Sequence, residues 1–375
     1  MDEKELGEKL EQEYEKIRNN VKKPNVLIAG TTGAGKSSVI NMIFGDDVAV
    51  VGTGKPVTQK IDVYENDKTD VRIFDSKGYE IGAEADKEFY ESVIGLAKQT
   101  NNPENAIHLI WYCIPCNGAR VTDYDLQAIQ TFHEANIPTA VVLTKADLPS
   151  ESEIKAIRDV LPNWTKESTF ELSIKTEEYN HLDELITWSI NILPEALKDA
   201  FIKSQKANLK EKWNKAHSII VQHTVGAFAV GFTPIPMSDA PLLVANELTL
   251  LARILYLYDL GSLSDTLKTM GLSAALGPLL TSGGKAAVGA ILKLIPGVGT
   301  MVGGMISGAV GAAVTGAFGE ATSAVACTIC RAKLSGDTSK VEALMDNFGN
   351  EIITLAKTWI SQGKANAEDY KFEDI

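Results

Sequence analysis

The chain is poor in the residues that build metal and redox centres, with five histidines and four cysteines among 375 residues. The cysteines form two CxxC pairs, Cys113/Cys116 and Cys327/Cys330. The first pair straddles the end of an apolar strand pattern (IHLIWYCIPC) and the second lies in an apolar helical pattern (ATSAVACTIC). Small buried hydrophobes fit these settings better than a zinc or redox site, which stays the alternative. A cationic excess is also missing. Lysine and arginine number 36 against 49 aspartates and glutamates, for a net charge of −13. That balance argues against nucleic acid as a partner. The start of the chain, MDEKELGEKLEQEYEKIRNN, lacks the apolar core of a signal peptide. It is expected to form a solvated helix, in a cytoplasmic protein without disulfides.

What is present divides at Pro194. Before it, strand and helix patterns alternate. Strands are expected at Asn25–Gly30, Ile61–Glu65, Val71–Asp75, Ile107–Cys113, Thr139–Thr144 and Thr169–Ser173. Helices are expected at Lys36–Phe44, Asp86–Gln99, Asp123–Ala135, Glu151–Val160 and Leu182–Leu193. This order predicts an α/β fold: a mostly parallel sheet covered by helices on both faces, with ligands beyond the carboxyl ends of the strands. After Pro194 no β-rich runs remain. Helical patterns cover Ala196–Lys215, Ala240–Tyr258, Ser262–Thr269, Lys285–Leu294, Glu320–Lys333 and Val341–Gln362. The expected division is an N-terminal helix (1–23), an α/β domain (24–200) and an all-α domain (201–375).

Four loops carry chemistry. Gly30-Thr31-Thr32-Gly33-Ala34-Gly35-Lys36-Ser37 matches GxxxxGK[ST] between a strand and a helix. Its glycines let successive N–H groups face phosphate oxygens at a helix N-terminus. Lys36 adds a point charge for the β- and γ-phosphates, the Ser37 hydroxyl suits Mg2+, and Ser38 follows on the helix. Asp75-Ser76-Lys77-Gly78 ends another strand; Asp75 can hold Mg2+ through water and the Gly78 amide can meet the γ-phosphate. In Thr144-Lys145-Ala146-Asp147 the carboxylate can accept two hydrogen bonds from guanine that adenine does not offer, and the Lys145 stem can lie over the base. Ser173-Ile174-Lys175 supplies N–H groups for the guanine carbonyl oxygen.

Taken together and in this order, the motifs resemble the P-loop GTPases related to translation factors, particularly the Era, septin and immunity-related GTPase branch. That resemblance implies a G domain that binds GTP and GDP with Mg2+ and hydrolyses GTP, with Lys36, Thr58 and Gly78 in catalytic roles. Thr58, in Gly54-Lys55-Pro56-Val57-Thr58, would ligate Mg2+ with Ser37 and Asp75; Thr53 is a nearby competitor. Tyr79 stands where Ras-like GTPases place the glutamine that orients the attacking water. Slow intrinsic hydrolysis is therefore expected, with activation by a partner or by a homodimer across the nucleotide face. Gly33 occupies the place of the asparagine used for potassium activation, which is not expected here. Thr32 stands where arginine-finger GTPases usually keep a glycine, against an inserted finger. Arg120 reads as a surface arginine, with a transition-state role as the alternative.

The second half poses a different question. Leu294 to Gly319 and Ala216 to Ser238 contain no formally charged side chain. A buried helical core and a membrane-associating hairpin over 216–238 and 286–319 are equally open. The segment from Gly231 to Ala240, with the Gly-rich stretch after it, resembles a helical domain of unknown function behind the G domains of bacterial GTPases. The function expected is a nucleotide-dependent switch or membrane-associated mechanochemical GTPase. The alternatives are a binding module with negligible hydrolysis and a ribosome-assembly GTPase.

Overall fold

The computed structural model describes residues 3–45, 48, 55–56, 61–64, 69–76, 91–97, 106–118, 120–176, 180–230, 240–261, 308–362, 364 and 369–375. The chain forms two compact units, Val21–Asn208 and a second made of Met1–Asn20 with Leu209–Ile375.

In the first unit the strands are β1 (Asn25–Ala29), β2 (Lys55–Pro56), β3 (Ile61–Tyr64), β4 (Arg72–Ser76), β5 (Leu109–Pro115), β6 (Thr139–Thr144) and β7 (Thr169–Leu172). Their order across the sheet is β2-β3-β4-β1-β5-β6-β7. The five strands from β4 to β7 run parallel, and the β2–β3 and β3–β4 pairs are antiparallel. Strands β1 and β6 are buried at every position, which explains their unbroken apolar runs. The short β2, the antiparallel edge, is not visible in the sequence because two residues give no periodicity.

Helix α1 (Glu3–Asn20) precedes the sheet; α2 (Lys36–Phe44), α3 (Asp123–Glu134), α4 (Glu151–Val160), α5 (Leu182–Ile192) and α6 (Glu195–Ser204) follow in the α/β unit. Residues 91–97 are also helical. The rest of the helix expected over Asp86–Gln99 lies outside the described residues. Capping boxes, Thr122 with Asp125 and Ser150 with Glu153, start α3 and α4 where the sequence signals them. Beneath the sheet the Trp111 ring lies 6.0 Å from Phe44 and 6.2 Å from Phe201. Its indole N–H donates to the Ser189 hydroxyl at 3.1 Å. Burying such a ring contributes about 1.5–3 kcal/mol, which ties α2, β5, α5 and α6 into one core.

The second unit consists of α1, α7 (Leu209–Val230), α8 (Ala240–Leu257), α9 (Gly308–Leu334), α10 (Thr338–Asp346) and α11 (Phe348–Ser361). Gly319 of α9 lets that helix approach α7 and α8 closely: a Cβ there would stand 2.8 Å from Ile220 and 3.1 Å from Leu250. Polar pairs cross this apolar interior. The His217 ring meets Glu320 at 2.6 Å, the Tyr258 and Ser323 hydroxyls meet at 2.8 Å, and the Thr315 hydroxyl donates to Glu247.

Three helix boundaries differ from the sequence reading. The helix expected over Ala196–Lys215 is two helices, because Gln205 is extended (ψ 143°) and its side chain closes a turn onto Asn208. The helix expected from Glu320 begins at Gly308, carried through Gly and Ala by burial against its neighbours. The helix expected over Val341–Gln362 breaks at Asn347, whose φ is −111°. The patterns at Ser262–Thr269 and Lys285–Leu294 lie outside the described residues.

Among the described residues one helical stretch, Ala312–Leu334, is long and apolar enough to cross a membrane, and 78% of its most apolar window is buried inside the fold. The charge-free stretch from Leu294 overlaps it only at its end, and residues 286–307 lie outside the described residues.

Candidate nucleotide-binding site

The site is built at the carboxyl edge of the parallel strands. Strand β1 ends at Ala29, and Gly30 turns the chain at φ 141°. A Cβ at Gly30 would stand 2.4 Å from the Cys113 carbonyl oxygen of β5, so only glycine fits. Gly33 and Gly35 take φ 78° and 88°, left-handed backbone that other residues rarely adopt. Helix α2 begins directly at Lys36 and has no acidic residue in its first turn, which leaves its positive end uncompensated for an anion. Lys36 Nζ donates to the Gly30 oxygen at 3.0 Å and the Thr31 oxygen at 3.3 Å, which holds the ammonium over the loop.

The loop after β6 is fastened to this turn. The Thr144 hydroxyl donates to the Ala34 carbonyl oxygen at 2.6 Å. Lys145, at φ 56°, reaches the Gly33 carbonyl oxygen at 2.9 Å. The Ala146 amide bonds the Leu172 oxygen at 3.2 Å and so joins the loop to β7. Beyond β7 the Ser173 hydroxyl donates to Asp147 Oδ1 at 2.7 Å and accepts from the Lys175 amide at 3.0 Å. Lys175 Nζ lies 3.9 Å from Asp147 Oδ2. The Ser173 hydroxyl, aided by the Lys175 charge, holds the Asp147 carboxyl below the usual aspartate range. Asp147 is thus an ionised acceptor at neutral pH.

Between the two loops opens a cleft of about 310 Å³. Val39 and Met42 of α2 line it, as do Asp147, Lys175, Leu148 and Ile174. Leu148 is 53% exposed and Ile174 71% exposed, two apolar edges of the kind that cover the faces of a flat ring. Asn117, in a 3-10 turn directly after β5, is a further lining residue. The sequence did not single it out; its place after a central strand is the signal that points to it.

Asp75 is next to the phosphate loop across the sheet, because it pairs with Ile28 in the β1–β4 register. Ser37 and Asp75 offer a hydroxyl and a carboxylate, the hard oxygen donors that magnesium prefers. That donor chemistry fits Mg2+. Thr58, Lys77, Gly78 and Tyr79 lie outside the described residues. Arg120 is exposed. Cys113 and Cys116 are buried, and burial pushes both thiols up to about 12. Cys327 is pushed up to about 11 in the same way. None of the four cysteines is in a disulfide, and among the described residues no three His, Cys, Asp or Glu side chains form a metal-binding group.

A Gly-rich turn and helix at one strand end, with a carboxylate loop bonded to it from the strand two places along, define the G domain of a P-loop GTPase. Residues 25–145 match the family described as 50S ribosome-binding GTPase. The chain is 30% identical over 141 residues to the probable GTP-binding protein EngB of Aquifex aeolicus, covering 36% of this chain and 74% of that protein. It is 32% identical over 134 residues to the probable GTP-binding protein EngB of Bdellovibrio bacteriovorus, covering 36% of this chain and 65% of that protein. A crystal structure of a probable GTP-binding protein engB is 18% identical, with a TM-score of 0.33, over 45% of this chain and 97% of that one. The chain belongs to this GTPase family and is a GTP-binding GTPase.

Proposed function

We propose that the G domain, residues 24–200, is a slow nucleotide switch whose bound state sets the behaviour of the helical unit. What supports this reading is the direct bonding of the base-side loop to the phosphate loop, which makes the cleft between them one site for base and phosphates. In it the amides of Gly33 to Ser38 cradle the phosphates, with Gly30 and Thr32 shaping the turn. Lys36 supplies charge to the β- and γ-oxygens. Asp147 accepts from the guanine edge, Lys145 covers the ring, and the amides of Ser173, Ile174 and Lys175 meet the carbonyl oxygen. Ser37, Thr58 and Asp75 would hold Mg2+, which when bound neutralises charge developing between the β- and γ-phosphates. Gly78 would read the γ-phosphate. With Tyr79 after DxxG, the water lacks a side chain to orient it, so turnover is slow until a homodimer or another partner supplies one. Kinship with the Era, septin and immunity-related branch, and with helical domains that follow bacterial G domains, belongs to the same reading.

Replacement Asp147→Asn tests it. Binding of GTP should weaken at least tenfold while xanthosine triphosphate gains; unchanged GTP affinity rejects the assignment of the base loop. A single-turnover assay tests hydrolysis, and dependence of the rate on protein concentration tests the dimer.

A second reading is favoured by the family description: the switch acts on ribosomal particles. Cosedimentation with the large subunit in GTP but not GDP would support it. Association with a membrane through 216–238 and 286–319 rests on the charge-free stretches Ala216–Ser238 and Leu294–Gly319, and liposome flotation decides it.

A further inference from the structure

The short connection between the α/β unit and residue 209 grips the far ends of the two elements whose near ends serve the phosphates. Helix α2 begins at Lys36 and ends at Phe44, where the Lys206 amide donates to the Ile43 carbonyl oxygen at 2.8 Å. Gly45 follows at φ 95°, and a Cβ there would stand 3.3 Å from the Lys206 stem. Strand β4 ends beside Asp75 and is entered from Asp70. Lys203 Nζ meets Asp70 Oδ2 at 2.8 Å, with side chains only 8% and 16% exposed. The Asp70 amide donates to the Ser204 hydroxyl at 2.8 Å. Phe201, one turn earlier, is edge-on to Phe44 with ring centres 5.9 Å apart. Gln205 then locks the turn: its side chain accepts from the Asn208 amide at 2.9 Å and donates to the Asn208 oxygen at 2.8 Å.

We propose that residues 203–206 form a latch that senses the nucleotide through α2 and β4 and passes that state along the chain to α7. Two features make this the reading to choose over a static anchor. First, both grips are made to the ends of elements whose opposite ends carry Lys36 and Asp75, the residues that the switch reading gives to the phosphates and Mg2+, so a shift of either element along its axis must reach the latch. Second, β4 is backed on one side only by β3 and the two-residue β2, an antiparallel edge that resists such a shift less than the fully buried side does. The Lys203–Asp70 pair, 2.8 Å apart and largely shielded from water, is costly to break, which suits a device with discrete rather than graded positions. Since Gln205 and Asn208 form a closed turn, displacement at residue 203 or 206 is carried to Leu209 instead of being absorbed. The latch rests on the switch reading above.

Hydrogen exchange on the full chain, bound to GDP or to a non-hydrolysable GTP analogue, tests it. In the unaltered protein, amides of 209–230 should differ between the two states by roughly fivefold or more. Asp70→Asn and Ser204→Ala should each abolish that difference while both nucleotides still bind with unchanged affinity. Lys203→Met is a third variant should the others be too mild. Persistence of the difference in all three variants overturns the latch. Absence of any difference in the unaltered protein overturns the switch reading itself, and the latch with it. Thermal melts of each variant confirm that it is folded.

Discussion

The Thr144 hydroxyl donates a 2.6 Å hydrogen bond to the carbonyl oxygen of Ala34, 110 residues earlier in the chain. The bond is buried and joins the loop expected to read the base to the loop expected to cradle the phosphates. Thr144→Val keeps the shape and deletes the donor, stranding a buried carbonyl at a cost of about 1–3 kcal/mol. GTP affinity should fall roughly tenfold for each 1.4 kcal/mol that the loops contribute to binding. Preference for GTP over xanthosine triphosphate should not change, since Asp147 is untouched. Calorimetric titration with both nucleotides checks this.

Ser173→Ala probes the same carboxylate from its other side. The Ser173 hydroxyl is the leading reason that the Asp147 carboxyl is held low. A depressed carboxyl stays ionised as pH falls, so GTP binding should survive acidification in the unaltered protein. Without the hydroxyl, protonation begins at higher pH, nearer the ordinary aspartate value of about 3.9. The loss of GTP affinity on acidification should therefore set in earlier in Ser173→Ala. Identical pH profiles would show that the serine does not tune Asp147.

Gly30 and Gly33 separate two costs of backbone geometry. Both have positive φ, but a Cβ at Gly30 collides with the Cys113 carbonyl at 2.4 Å, whereas one at Gly33 meets nothing within 4 Å. Gly33→Ala should cost about 1–3 kcal/mol from strain alone. Gly30→Ala should cost more, because β1 and β5 must part. Melting temperatures of the α/β unit give the order, and equal losses would contradict it.

In the helical unit, burial holds the Glu247 carboxyl up near 7 against the opposing hydrogen bond from Thr315. The folded state therefore keeps a proton that the unfolded chain releases nearer 4.5. Stability is full below 4.5, declines as pH rises through 7, and is level beyond, a loss on the order of 3 kcal/mol. Glu247→Gln mimics the protonated form. It should melt like the unaltered protein in acid and above it at alkaline pH, as read by calorimetry of this unit.

How much of this was legible depends on the kind of signal. The strands β1, β6 and β7 and helices α2 and α4 could be read within a residue because apolar runs, Gly turns and capping residues all agree there. The position of the GxxxxGK[ST] and TKAD motifs at the ends of β1 and β6 was legible because each such motif must follow a strand. The turn at Gln205 was not, since it carries neither Gly nor Pro, and a side-chain amide does the work of a turn residue. Nor was the grouping of α1 with α8 legible: the Tyr14 and Tyr256 rings, 6.2 Å apart, meet across more than half the chain. Asn117 escaped notice because asparagine in a loop has no spacing to mark it.

The two apolar edges of the cleft carry a practical corollary. Leu148 and Ile174 are among the most exposed large hydrophobic side chains described. An aromatic ring slotted between them would take both away from water, at about 25 cal/mol for each Å² covered. With the base in that place, as the proposed function has it, stripping the ligand during purification would uncover greasy surface at the cleft, so empty protein should self-associate and precipitate sooner than the loaded form. Buffers supplemented with GDP are the natural storage condition for this chain.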